Sequence, residues 1–232
     1  VAEQWCKIRF RFSKEGDLRF VSHHDLMRLF ERLLRRAGLP VRLSSGFHPK
    51  PRIVFAHALG LGIAATNEVV EIEFTQPLSP GAVLSQLNAS SPSGLVFHQA
   101  QEIPTKLTGR PLRLDYRGRW PNSSPPANLS QRLTELWSQP EWWVERVKGL
   151  SPPSRQADGE ERLDQFDGLL VARQRTEAAG PRKRLNIKPL VDTLALVDNQ
   201  LRLSTTCTAS GGARHDEVLR LAGLWNQFVD GL

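Results

Sequence analysis

The segment Lys7-Ile8-Arg9-Phe10-Arg11-Phe12 decides how this chain is read. Basic and apolar residues alternate strictly, the pattern of a strand with one face on a core and the other in solvent. Gly16 and Asp17 then break the alternation, and Leu18 to Val21 reads as a short extended piece. Ser22 follows where a helix N-cap belongs, with Asp25 three residues on to complete a capping box. From about His23 to Ala37, the residues Leu26, Leu29, Phe30, Leu33 and Ala37 recur at helical spacing, and Gly38 and Pro40 end the helix.

Further along, Arg52 to Ala58 and Glu68 to Phe74 read as strands that pair as a long hairpin. In the second, Val70, Ile72 and Phe74 alternate with Glu71, Glu73 and Thr75. Ser79-Pro80 starts a helix whose buried side is Val83, Leu84 and Leu87, and Leu95 to Ala100 is a strand after Gly94. The order over residues 7 to 103 is strand, helix, strand, strand, helix, strand, which is the ferredoxin-like order. Residues 1 to 104 are therefore expected as a ferredoxin-like basic module, and Pro104 to Pro111 as a linker.

Residues 112 to 232 are expected as a second α+β module. Its predicted elements are a strand at Leu112 to Trp120, a helix from Asn128 to Ser138, and strands at Trp142 to Lys148 and Leu169 to Arg175. An exposed polar loop is expected at Ser151 to Glu161. A short helix at Pro189 to Val197, a strand at Gln200 to Thr208 and an amphipathic helix from Arg214 to Val229 follow, the last with Val218, Leu221, Ala222, Trp225 and Phe228 inward. One option is a second ferredoxin-like order with an added C-terminal helix. No sequence repeat links the halves.

Charge is unevenly spread. Residues 1 to 60 hold 12 Lys and Arg against 5 Asp and Glu, whereas residues 61 to 232 hold 19 of each. The whole net charge of +7 thus lies in the first quarter of the chain, the electrostatic footprint of a phosphate-rich or otherwise anionic partner. Apolar runs fall short of the roughly 18 to 20 residues of a membrane span, and the first residues carry no secretory pattern, so a cytoplasmic location without membrane contact is expected. The two cysteines, Cys6 and Cys207, have no ligand-spaced neighbours, which points to no bound metal and to two reduced thiols, with a disulfide between them as the alternative.

The outward stripe Arg28, Arg32 and Arg35 either solvates an amphipathic helix or joins Arg9, Arg11, Arg19, Arg36, Arg42, Lys50 and Arg52 in one phosphate-binding surface. Phe47 and His48 in the adjoining loop are available for base stacking, which favours single-stranded or looped RNA over duplex DNA. His23, His24, His48 and His57 lie within 35 residues of one another. They read as structural or phosphate-contacting groups, as acid and base for RNA cleavage without metal, or as metal ligands. Adjacent His23 and His24 diverge on a helix, which weakens the last reading. Gly60-Leu61-Gly62 is either a hairpin bend or a ligand-approaching loop. Ser210, Gly211, Gly212 and Arg214, leading into the last helix, are a candidate anion site. Arg182-Lys183-Arg184 reads as a solvated loop, and Trp142-Trp143 as half core and half interface. No nucleotide-binding loop, dinucleotide fingerprint, nucleophile elbow or three-cysteine cluster motif occurs.

Three segments carry a resemblance: Gly16 to Leu26, Arg35 to Pro40, and Ser45-Gly46-Phe47-His48-Pro49-Lys50-Pro51-Arg52-Ile53. They resemble an uncharacterised radical-SAM-associated domain family, found beside or as the C-terminal part of cobalamin-binding radical SAM proteins. The match is close over residues 7 to 75 and looser at Lys188 to Asp192 and Gly211 to Leu219. The resemblance implies an association with a radical SAM catalytic domain in the same or a neighbouring polypeptide. The iron–sulfur cluster, S-adenosylmethionine and cobalamin would belong to that part, with no cofactor in this chain. A chain that begins at Val1 fits the C-terminal portion of such a polypeptide. Family members often carry Ser-His-Leu-Asp and Gly-Phe-Asn-Pro where this chain has His24 and His48, so His23 is the better catalytic candidate.

The expected function is a non-catalytic accessory module that binds RNA or a ribonucleoprotein through Arg19, His23, Arg28, Arg32, Arg35, Arg36, Phe47, His48, Lys50 and Arg52, and presents it to the radical SAM part. The alternatives are a metal-independent ribonuclease or RNA-modifying enzyme using His23, and a docking domain for an acidic protein.

Overall fold

A computed structural model describes residues 5–120, 124–147, 182–209 and 211–225. The chain divides into two compact units between Leu112 and Arg113. The predicted loop at Ser151 to Glu161, the strand at Leu169 to Arg175, Ser210 and Phe228 lie outside the described residues.

The first unit runs β1 (Cys6–Lys14), α1 (His23–Arg36), β2 (Ile53–Phe55), β3 (Ala65–Phe74), α2 (Pro80–Ser90) and β4 (Leu95–Ile103). Its sheet has the order β2-β3-β1-β4 with antiparallel neighbours, the ferredoxin-like arrangement. On β1 and β3 the even-numbered apolar residues Ile8, Phe10, Phe12, Val70, Ile72 and Phe74 are sealed in the core with Leu26, Phe30, Leu33 and Leu34 of α1. An aromatic cluster fixes this packing: Phe30 meets Phe55 at 5.0 Å and Phe12 at 5.3 Å between ring centroids, mostly edge to face. Truncating such a ring costs about 3–5 kcal/mol.

Ser22 caps α1 as expected, its Oγ accepting from the Asp25 N–H at 3.2 Å and donating to Asp25 Oδ2 at 2.7 Å. Three expectations for this unit are corrected. Leu18 to Val21 is not extended: residues Gly16–Phe20 form a 3-10 turn, pinned by Lys14, whose Nζ donates to the carbonyls of Arg19 (3.4 Å) and Val21 (3.2 Å). The hairpin of β2 and β3 is short, since pairing covers only Ile53 to Phe55 before the chain turns away. The outer face of β1 is not simply solvated. Residues 104–112 cross it, with Lys7 Nζ donating to the Leu107 carbonyl at 2.8 Å and the Gly109 N–H to Glu71 Oε1 at 2.7 Å. A Cβ at Gly109 would stand 2.9 Å from the side-chain ends of Arg9 and Glu71, so a larger residue there would have to displace these two tips.

The second unit contains β5 (Arg113–Gly118), α3 (Leu129–Ser138), β6 (Trp143–Val147), β7 (Arg182–Asn186), β8 (Val191–Val197), β9 (Gln200–Thr208), β10 (Gly211–Gly212) and α4 (His215–Leu221). It is α+β like the first, with antiparallel sheets: β9 pairs β5, β8 and β10, and β6 pairs β7. Its own core joins Leu133, Leu136, Trp142, Ile187, Leu201, Leu203 and Val218. Where a helix was expected from Pro189 to Val197, Lys188–Leu190 form a 3-10 turn and Val191–Val197 a strand, because this segment pairs with β9. Arg182 to Arg184 is likewise strand, not loop. Among the described residues no helix is long and apolar enough to cross a membrane.

Candidate nucleic-acid interface

Arg28, Arg32, Arg35 and Arg36 all stand exposed on the side of α1 opposite its buried leucines. Arg28 NH1 lies 3.4 Å from Asp25 Oδ1, a solvated i,i+3 pair of little energetic weight. Arg32, Arg35 and Arg36 form no ion pair with any described residue. The remaining basic groups do not merge with them into one free surface. Arg9 is forked onto Glu71, Arg42 lies 3.0 Å from Glu73, Arg52 lies 3.7 Å from the same Glu73 oxygen, and Arg11 donates to Asn67. Arg52 is thus partly neutralised, whereas Arg32, Arg35 and Arg36, like Arg19 and Lys50, have no ion pair with a described residue.

After α1, the chain forms a closed loop at the Phe74 end of β3. Leu43 bridges Pro51, the Ser44 N–H donates to the Lys50 carbonyl at 2.8 Å, and the Lys50 N–H donates to Ser44 Oγ at 3.0 Å. Gly46 has a φ of 133°, which a side chain would resist. This geometry holds Phe47 fully in solvent, with His48 and Lys50 exposed beside it. Before α1, the Arg19 guanidinium stacks 4.5 Å over the half-exposed ring of Phe20, and the Arg19 carbonyl accepts from the Gly62 N–H at 2.8 Å. The glycine pair at 60 to 62 is therefore a turn that braces this segment.

His23 sits in the first turn of α1, its ring edge-on to Phe55 at 5.4 Å and its Nδ1 buried without a partner. Burial pushes its pKa down, assisted by His24 and Lys14. His24, 6.2 Å away, is exposed. Among the described residues no three His, Cys, Asp or Glu side chains gather as metal ligands would.

Two groups at this end were not singled out from the sequence. Lys14 is fully buried, and burial lowers its pKa. Glu68, half-buried and paired in register with Phe12, has its pKa raised by burial, with Lys14 nearby working against the shift. A signal was there to find them: Lys14 continues the even-numbered phase of Phe10 and Phe12, and Glu68 that of Val70, Ile72 and Phe74. Ionisable residues in the apolar phase of a strand are costly and therefore informative.

In the second unit, the candidate anion site at Gly211, Gly212 and Arg214 is already occupied from within. Glu217 accepts from the Arg214 N–H at 3.0 Å, and Arg146 forks onto Glu217 while donating to the Gly212 carbonyl at 2.8 Å. Burial opposes that carboxylate, but the Arg146 and Arg214 hydrogen bonds hold its pKa below the ordinary range. Trp142 is core and Trp143 is 40% exposed under the Arg184 guanidinium.

A comparison with curated proteins finds no match. Residues 7–215 match a family described as an uncharacterized protein conserved in bacteria, DUF2344. That span takes in β1, the arginine helix, the Phe47 loop and most of the second unit, so the chain belongs to this family of uncharacterised bacterial proteins.

Proposed function

We propose that the first unit binds single-stranded or looped RNA, free or in a ribonucleoprotein, along α1 and the 44–50 loop. On this reading it is an accessory module that presents the RNA to a radical SAM catalytic part in the same or a neighbouring polypeptide. The observation that carries the reading is Phe47. A phenylalanine held wholly in water by a closed loop, flanked in sequence by exposed His48 and Lys50, contributes nothing to the core and has the form of a stacking platform, for which the exposed arginines of α1 would supply a phosphate track. Phe20 under Arg19 offers a second ring on the segment that enters α1.

The strap of residues 104–112 bears on where RNA lies. Four-stranded sheets of this topology can stack bases on their open face, but here that face carries the Lys7, Arg9 and Glu71 network and the strap over it. The helix and its flanking loops are the surface left to a strand. The packing of His23 against Phe55 favours binding over an RNA-cleaving centre at that residue.

The reading is tested by fluorescence anisotropy with a single strand, a hairpin and a duplex of equal length. Preference for the strand and the hairpin loop is expected, since duplex bases cannot reach Phe47. Equal binding of all three would reduce the interaction to charge alone, and no binding would favour a protein partner.

A further inference from the structure

We infer that the ribbon of β6 and β7 in the second unit is a further contact for the bound RNA, where one unpaired base stacks on Trp143 and a phosphate is held by Arg184. The inference rests on the RNA reading above and extends it to a surface outside the first unit.

Among the described residues β6 and β7 pair only with each other, so the ribbon has one face for the core and one for solvent. Val144 and Leu185, directly opposite in register, pack inward against the second core, and Arg146 in the same phase is committed to Glu217. The alternate residues Trp143, Glu145, Arg182 and Arg184 turn outward, and all four are exposed.

The contacts on that outer face are not the ones the register dictates. Arg184 stands directly opposite Glu145, yet its guanidinium lies over the indole of Trp143, 4.7 Å from the ring centroid. Glu145 is taken by Arg182 at 3.3 Å, and Glu141 accepts from Trp143 Nε1 at 2.8 Å. Both neighbouring carboxylates are therefore used, and Arg184 has no ion pair and no hydrogen bond with any described residue. The ring is steadied at its N–H edge and by the guanidinium stacked on it. A stacked guanidinium keeps its in-plane N–H donors for a partner from outside.

A planar fork without an anion, beside a large exposed ring, has the chemistry of a nucleotide site. The fork matches two phosphate oxygens, and the ring accepts the face of any base. An acidic peptide would use the fork and leave the indole in water, so the pairing of the two favours a nucleotide. Lys183, also exposed and without an ion pair to a described residue, adds to the positive field of the same strand.

The test is anisotropy of the full chain with a labelled oligouridine over a range of salt, for wild type, Trp143→Ala, Trp143→Phe and Arg184→Gln. Trp143→Ala should weaken binding about tenfold, the scale of one stacked base, and Trp143→Phe should recover most of that loss. Arg184→Gln should lower the slope of log K against log salt by about 0.7, the value for one phosphate contact on a single strand. Circular dichroism verifies the fold of each variant, and Arg184→Gln alters only an exposed side chain, so it tests the site even where Trp143→Ala misfolds. Wild-type affinity in Trp143→Ala together with a wild-type slope in Arg184→Gln would overturn the inference and leave the RNA reading standing on α1 and Phe47. A Trp143→Phe chain no tighter than Trp143→Ala would overturn the stacking contact. Absence of salt-dependent binding by the wild-type chain would remove the RNA reading and the inference with it. Labelled polyglutamate bound as tightly as oligouridine, and weakened equally by Trp143→Ala, would assign the ribbon to an acidic protein and overturn the inference.

Discussion

Lys7 reaches diagonally from β1 to Glu71 on β3, Nζ to Oε2 at 2.8 Å, with 4% and 2% of the two side chains exposed. Arg9 and the Gly109 N–H share the other carboxylate oxygen, so one buried acceptor ties the sheet to the strap that crosses it. Burial alone would raise the pKa of Glu71, but the bonds from Lys7, Arg9 and Gly109 outweigh it and hold the carboxyl below its ordinary value.

Removing that acceptor leaves Lys7 buried and uncompensated. Glu71→Ala is expected to cost about 3–5 kcal/mol in urea unfolding, and Gly109→Ala about 1–3 kcal/mol through overpacking against Arg9 and Glu71. Because the folded pKa is depressed, the stability from Glu71 is fully present above its unfolded value of about 4.3 and is lost as pH falls through the folded value. A Glu71→Ala chain as stable as wild type would show that the strap is not held by this network.

Glu68 behaves with the opposite sign. Its pKa is raised by burial, so its ionised form destabilises the fold as pH rises through the folded value, and the penalty is absent below about pH 4.3. Glu68→Gln should therefore unfold at a higher urea midpoint than wild type at pH 7, with the advantage disappearing in acid. A lower midpoint at pH 7 would mean that the carboxylate has a stabilising partner.

Phe47 separates binding from folding. Its side chain is fully exposed, so Phe47→Ala should leave the melting temperature within about 2–4 °C, since surface changes of this kind stay within ±0.5 kcal/mol. RNA affinity should fall by about 1–3 kcal/mol, the range for one stacked base. Unchanged affinity would take the loop out of the interface.

The alternation of β1, the cap at Ser22 and the apolar face of α1 were legible because each is a local pattern with a single physical reading, and they sufficed for the ferredoxin-like unit. Pro189 to Val197 was not, because a short apolar run fits a helix or a strand until its partner β9 is known. The strap was hidden for a different reason. Nothing in Pro104 to Pro111 announces that Leu107 and Gly109 meet Lys7 and Glu71, contacts made across 100 and 38 residues of chain. Among the basic residues, sequence identified the charge surplus but not its allocation: only the fold shows that Arg9, Arg42 and Arg52 are engaged by glutamates while Arg32, Arg35 and Arg36 have no such partner among the described residues. Lys14 and Glu68 stood in plain view, in the wrong phase for charged residues.

The arginine stripe gives a quantitative expectation. If Arg28, Arg32 and Arg35 each neutralise one phosphate, replacing all three with Gln should lower the slope of log K against log salt by about 2 for a single strand, with little change in fold because all three are exposed. An unchanged slope would place the phosphate contacts elsewhere.

The most direct measurement is crosslinking of the full chain to total bacterial RNA at physiological salt, followed by sequencing of the bound fragments, beside a charge-matched control protein. The account predicts enrichment of defined unpaired segments that is lost when Arg28, Arg32 and Arg35 are replaced by Gln. Recovery no greater than the control, or enrichment that survives the triple replacement, would contradict it.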